Sequence, residues 1–345
     1  MRMKKTMSFL LAGAMLASVL AGCGSGSTDS KGSAASVGNA KNGELNYIIA
    51  TRSEFQSTLA DAMMAAAEKQ GYNIVVQNGD SDIAKQIQYI EVCRNAGQKA
   101  VLVQPVDADA ASSLVDAAGD MNIVFVNCPP TDLSLLEADN VAYVGSDENT
   151  SGYMQGEYLA QYFKAQGKTE ISYIMLQGQL GYVATTKRTE GAIKALEDNG
   201  IKATEATSPL VCDYDRPTAQ ENIAPILTSG ITWDCIIANN DAMALGAVEA
   251  CKAASIDIDF PIVGIDCTAD GAQAIVDGDM AMTVFQNPVG QGEGALTAAL
   301  NMIDGKPINT GMEQYALDET GEAYSDHIMW IPFEAVTAEN VPDYM

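Results

Sequence analysis

From Leu45 onward, short runs of β-branched and aliphatic residues alternate with stretches whose apolar positions recur at helical spacing. The runs LNYIIA, NIVVQNG, KAVLVQP, IVFVNCPP and VAYVGSDE come first, followed by ISYIMLQG, LVCDYD, WDCIIANN, FPIVGID and MAMTVFQNP. Each is continuous enough for a strand covered on both faces. Between them, Leu59, Met63, Ala66 and Ala67 keep one helical face, as do Tyr158, Leu159, Tyr162 and Phe163. Strands and helices in this alternation predict an α/β fold with parallel, doubly wound sheets and right-handed crossovers. Ten strands suit two five-stranded sheets. A single (β/α)8 barrel needs a different strand count and no midpoint, whereas here a second set of βα units begins around VGSDENTSG.

The start of the chain breaks this pattern. MRMKKTMSFLLAGAMLASVLAGC has a basic start, an apolar core and a small-residue stop, which reads as a secretory signal over residues 1–22. LAGC, Leu20 to Cys23, resembles the lipobox of bacterial lipoproteins, which implies lipidation of Cys23. Residues 23–43 are rich in Gly, Ser and Ala, with too little apolar surface to fold, and read as a flexible tether. The expected product is extracytoplasmic, anchored by lipid to the outer face of the bacterial cell membrane, and touches the membrane through that anchor alone.

Composition narrows the partners. The 345 residues include 19 basic and 45 acidic side chains, and a net charge of -26 repels phosphate backbones, so no nucleic acid is expected. Cysteines 93, 128, 212, 235, 251 and 267 lack the close paired spacing of a metal site or disulfide knot and read as buried free thiols.

In open α/β sheets the ligand crevice lies beyond the carboxyl ends of the strands. Those ends carry Glu54, Phe55, Gln56, Asn127, Tyr182, Arg188, Tyr214, Asn240, Asp266 and Gln286. Amides, carboxylates and a guanidinium can share the hydrogens of hydroxyl groups, and aromatic planes suit C–H faces, so the set fits a neutral polyol. The polar triplet Asn239–Asn240–Asp241 divides, on this reading, into a local backbone contact for Asn239, a ligand contact for Asn240 and a helix N-cap for Asp241.

IANNDAMALGAVEA, VAYVGSDENTSGYMQGEYLA and VGID, in this order, resemble motifs of the type I periplasmic sugar-binding proteins of ABC transporters, the ribose and galactose/glucose-binding group. The resemblance implies two Rossmann-like lobes joined by a three-stranded hinge: 44–145 with 287–330, and 146–286 with 331–345. It gives Arg188 the role of donor to the sugar and Asp266 that of buried acceptor. Asn240 and Gln286 are implied as amide ligands, Tyr214 as an aromatic wall, Phe55 as a stacking ring and Asn127 as a first-lobe hydrogen-bonding position. Tyr182, Ala184 and Cys128 depart from the galactose/glucose pattern, and FKAQGKTEISYI has no counterpart of its acidic calcium loop. No metal and no cofactor are expected.

The function implied is capture of a monosaccharide or related polyol and its delivery by a monomer to an ABC permease. A sensor subunit for a receptor kinase or chemoreceptor would use the same lobes. An enzyme is the weaker reading: the single histidine, His327, lies away from the strand ends, which leaves paired carboxylates such as Glu54 and Asp266 for a glycosidase. Sugar repressors share the core, but an N-terminal lipobox stands where they carry a DNA-binding helix-turn-helix.

Overall fold

The computed structural model describes residues 42–345; the signal segment, Cys23 and the tether through residue 41 lie outside the described residues. In chain order the first elements are β1 (Gly43–Ile49), α1 (Glu54–Lys69), β2 (Tyr72–Asn78), α2 (Ile83–Asn95), β3 (Ala100–Val103), α3 (Ala111–Ala118), β4 (Asn122–Val126) and β5 (Val141–Gly145). Then come α4 (Glu148–Ala165), β6 (Glu170–Gln177), α5 (Val183–Asp198), β7 (Lys202–Glu205), β8 (Leu210–Val211), α6 (Arg216–Leu227) and β9 (Cys235–Ala238). The remainder is α7 (Asp241–Ala253), β10 (Ile262–Val263), α8 (Ala269–Asp277), β11 (Met282–Gln286), α9 (Pro288–Ile303), β12 (Ile328–Trp330) and β13 (Phe333–Thr337).

These strands form two sheets. The first has the order β12-β5-β4-β3-β1-β2, and the second β13-β11-β10-β9-β6-β7, with β8 also paired to β6. Every pairing is parallel except β11 with β13. Ignoring the late strands, each sheet repeats the doubly wound order 2-1-3-4-5, so a topological switch point falls between β1 and β3 in one and between β6 and β9 in the other.

Each sheet is covered on both faces, as the unbroken apolar runs require. In the first, Leu59, Met63 and Ala67 of α1 pack with Ala295, Leu296 and Ala299 of α9 on one face. Ile90 of α2 and Leu114 of α3 cover the other. In the second, Leu159 and Phe163 of α4 meet Ala192 and Leu196 of α5 on one face. Ile223, Ala247 and Ile275 of α6, α7 and α8 fill the other. The chain thus passes from the first sheet to the second after β5, returns after β11, and crosses again between β12 and β13.

Two five-stranded sheets were too few. The structure adds β7, an edge strand paired with β6 alone and mostly exposed, and the three-residue β12 beside β5, while β13 lies in the C-terminal run IPFEAVT. Lys-Ala-Thr-Glu carries no apolar run because only one edge and little of either face of β7 is covered. The six cysteines among the described residues are free, four of them buried.

Candidate functional site

The carboxyl ends of both sheets border one cavity of about 490 Å³, a size usual for small-molecule sites. Glu54, Phe55, Gln56 and Asn127 line it from the first lobe; Tyr182, Arg188, Tyr214, Asn240, Asp266 and Gln286 line it from the second. The backbone marks the same place. Of the eight non-glycine residues with positive φ among the described residues, four border the cavity: Asn127 (67°), Asp213 (53°), Tyr214 (61°) and Asp266 (121°). Such conformations cost energy for residues with a Cβ and persist where the surroundings over-determine them, often at functional sites.

On the first-lobe wall the polar groups are amides that hold one another. Tyr47 Oη donates to Gln56 Oε1 at 2.8 Å, and Gln56 Nε2 donates to Asn127 Oδ1 at 3.0 Å. Gln104 Nε2 reaches the same oxygen at 3.3 Å, while Asn127 Nδ2 donates to Gln291 Oε1 at 3.2 Å. Gln291 Nε2 continues to Ser146 Oγ at 3.0 Å, at the first chain crossing. With its oxygen taken twice and one amide hydrogen used, Asn127 keeps a single N–H for a ligand. Phe55 packs into the core beside this chain of amides, and Glu54 stands exposed, its pKa raised chiefly by partial burial.

The second-lobe wall is charged. Arg188, 5% exposed, donates from Nε and Nη2 to Glu148 Oε2 and Oε1 at 2.8 and 2.7 Å. Nη1 donates to the Asn239 carbonyl at 2.8 Å and Nη2 to Gln286 Oε1 at 3.3 Å. Four of the five guanidinium hydrogens are therefore occupied; the fifth, on Nη1, lies on the side of Asp266, whose Oδ1 is 4.0 Å away. Burial opposes the charge of Arg188, but Glu148, through charge and hydrogen bond, together with Tyr214 and Asp266 outweighs it and raises the arginine pKa further.

Glu148 is the residue that sequence reasoning missed. It opens α4 directly after the capping Asp147, where the positive end of the helix favours an acidic side chain. It reaches Arg188 because α4 and α5 touch backbone to backbone: a Cβ on Gly152 would lie 2.1 Å from the Arg188 carbonyl oxygen, and one on Gly156 2.2 Å from that of Ala192. The two glycines, four residues apart on one helix face, are the sequence signal that could have placed α5 against α4 and so Arg188 beside a carboxylate.

The expected division of Asn240 and Asp241 is corrected. Asn240, not Asp241, is the N-cap of α7, its Oδ1 accepting from Met243 N at 3.0 Å. It still borders the cavity, and among the described residues nothing accepts from its Nδ2. Asp241 is fully buried behind the wall, accepting from Thr283 Oγ1 at 2.6 Å and Thr268 N at 2.8 Å, and so pins the loop that carries Asp266. Asn239 does hold backbone, as expected, but not locally: its Oδ1 accepts at 3.1 Å from the N–H of Gly178, beyond the end of the neighbouring β6. His327 contacts the Leu136 carbonyl, outside the cavity lining.

Residues 47–307 match the periplasmic binding protein domain. The chain belongs to that family. It is 31% identical to a putative rhizopine-binding protein of Rhizobium meliloti, over 79% of this chain and 82% of the relative. It is 30% identical to the ribose import binding protein of Salmonella typhimurium, over 74% and 82%. Among solved structures, an ABC transporter solute binding protein from Bacillus halodurans with bound myo-inositol is similar at a TM-score of 0.75 and 27% identity, covering 89% of this chain and 98% of that one.

Several groups in the cavity of this periplasmic binding protein want partners that the described residues do not supply. Among the described residues, Gln286 Nε2 and Tyr182 Oη are buried without a hydrogen bond. Asp266, 7% exposed, has no protein donor to its carboxylate among the described residues, and burial raises its pKa well above the ordinary carboxylate range, with Arg188 opposing. Tyr214 packs its ring over Gly178 and shares a 2.7 Å hydrogen bond with Thr185, its centroid 6.5 Å from that of Tyr182. Cys128 borders the same space as a neutral thiol, its pKa pushed up to about 12 by burial, with Glu148 and Asp107 adding to the shift.

Proposed function

We propose that this protein captures an uncharged monosaccharide or related polyol between its two lobes and presents it to an ABC permease. The observation that carries the reading is the set of unsatisfied groups meeting in one cavity: a donor at Gln286 Nε2, a hydroxyl at Tyr182, an acceptor at Asp266 and the last N–H of Arg188. Buried polar groups without partners cost about 1–3 kcal/mol each, so the cavity favours a ligand rich in groups that both donate and accept. Hydroxyls do both. Relatives whose names and titles specify ribose and myo-inositol support the same class.

The ten lining residues Glu54, Phe55, Gln56, Asn127, Tyr182, Arg188, Tyr214, Asn240, Asp266 and Gln286 are the proposed ligand shell. Residues 44–145 with 287–330 and 146–286 with 331–345 are the proposed moving lobes, closing about the three crossings. The mature protein is a monomer released by cleavage before Cys23, lipidated there, and held outside the cell membrane through a tether ending near residue 43. It binds and does not turn over its ligand, as its relatives are binding proteins.

A thermal-shift screen of uncharged pentoses, hexoses and cyclitols tests the reading: a ligand at a hundred times its dissociation constant adds about 2.7 kcal/mol to stability. X-ray scattering with that ligand should then show a smaller radius of gyration. A screen in which no uncharged polyol stabilises the protein would overturn the ligand class, and tight binding at unchanged dimensions would overturn closure.

A further inference from the structure

Four acidic or basic residues are buried among the described residues: Arg188, Glu148, Asp241 and Asp266. The one cation stands beside two of the three acids, Glu148 and Asp266, while Asp241 lies behind the wall on Thr283 and Thr268. The nearest partner of Arg188 is Glu148, which engages it through both carboxylate oxygens within the second lobe, independently of anything the first lobe or a ligand contributes. At the mouth, Arg216 is likewise spoken for, by Glu249 and Asp270, and Arg52 is exposed to solvent. A fork of guanidinium donors is the usual reader of carboxylate and phosphate groups. Here the fork is filled by the protein itself, and the one N–H left over lies beside Asp266.

Resting on the function proposed above, we propose that Glu148 sets the charge selectivity of the cavity: by occupying the fork of Arg188 it cancels the one buried cation, so the site admits uncharged polyols and turns away sugar acids and phosphorylated sugars. An acidic ligand placed here would have to displace Glu148 from a desolvated ion pair or lie beside its carboxylate without a counter-ion of its own. Like charges brought together in such a site repel strongly, and specificity often rests on such a repulsive element. Glu148 also borders the cavity, so its role includes direct exclusion.

The test uses the full-length mature protein and probes that differ in charge but keep one scaffold: D-glucose with D-glucuronate, D-galactose with D-galacturonate, and myo-inositol with its monophosphate. For whichever neutral member binds, its acidic partner should bind the wild type weaker by about a hundredfold or more, a ratio that Glu148→Gln should narrow by about tenfold or more. Glu148→Asp, which keeps the charge, should keep most of the ratio; a purely structural role would lower affinity for both probes and leave the ratio unchanged. Should Glu148→Gln not fold, Glu148→Asn removes the same charge with a shorter amide and should narrow the same ratio. An unchanged ratio in a cooperatively melting variant, or a wild type that takes the acid as well as its neutral partner, overturns the proposal. If no neutral probe binds, the polyol reading has failed on its own, and inorganic sulfate decides on Glu148. Greater stabilisation by sulfate of Glu148→Gln than of wild type, against chloride at equal ionic strength, upholds it, and equal stabilisation overturns it.

Discussion

The two walls of the cavity solve the same problem with different chemistry. The first-lobe wall joins Tyr47, Gln56, Gln104, Asn127, Gln291 and Ser146 in a chain of neutral hydrogen bonds that ends at a chain crossing. The second-lobe wall gathers Arg188, Glu148 and Asp266, all 7% exposed or less, around the Asn239 carbonyl and Gln286. Neutral amides lose little when buried in pairs, so the first wall is held rigid at small electrostatic risk. Buried charges are costly unless paired and hydrogen-bonded, so the second wall depends on each member of its set. Discrimination should therefore reside in the second wall and shape in the first.

Arg188→Ala breaks this contrast most severely. It leaves Glu148 buried without its counter-ion, a loss of about 3–5 kcal/mol in comparable cases, and it removes the proposed donor to ligand. Urea denaturation of the ligand-free protein should show the fall, and calorimetry should show binding lost. Replacing both residues, as Arg188→Ala with Glu148→Ala, should recover part of the stability and none of the affinity, since the cycle isolates the cost of the orphaned charge. A single variant as stable as wild type would mean that the pair contributes nothing net.

Titration separates the walls next. No side chain of the amide chain ionises near neutrality, whereas burial raises Asp241 from 3.8 to about 7, against the hydrogen bonds from Thr283 and Thr268, and raises Asp266 as well. The folded state thus holds these protons more tightly than the unfolded chain. The associated stability is fully present below the unfolded value of 3.8, and for Asp241 it is lost as pH rises toward about 7. Ligand-free melting temperatures should fall across this window and fall less in Asp241→Asn. The comparison with the variant matters because a chain of net charge -26 also repels itself increasingly as its acids ionise. Equal slopes in both proteins would remove Asp241 from the account.

Much of this contrast could be read before any coordinates. A strand end facing a crevice is a local feature, so unbroken runs such as CIIA and MTVFQ pointed to Asn240 and Gln286 without knowledge of their neighbours. Glu148 could not be found that way. After Asp147 it has every local feature of an ordinary acidic first helical turn, and only the approach of α5 through Gly152 gives it a partner forty residues on. Likewise Asn and Asp both cap helices well, so NND does not say which residue caps; Thr283, far along the chain, takes Asp241 into the core and leaves the cap to Asn240. The edge strand β7 escaped for the opposite reason, because its exposed residues bury too little to leave an apolar signature.

The smallest effect expected is at Asn127, where backbone and side chain can be separated. Its φ of 67° favours glycine, and its amide joins Gln56, Gln104 and Gln291. Asn127→Gly removes the amide and relaxes the backbone; Asn127→Ala removes the amide and keeps the strain. The alanine variant should be the less stable of the two by about 1 kcal/mol, the usual cost of a Cβ in the left-handed region. Both should weaken ligand by about tenfold or less, because one neutral hydrogen bond contributes about 1 kcal/mol. Neither should alter the preference for neutral over acidic probes, since no charge on the second wall has moved. Parallel urea titrations and calorimetry on the pair would show it, and an acidic probe gaining on its neutral partner in Asn127→Gly would place part of the charge discrimination on the first wall after all.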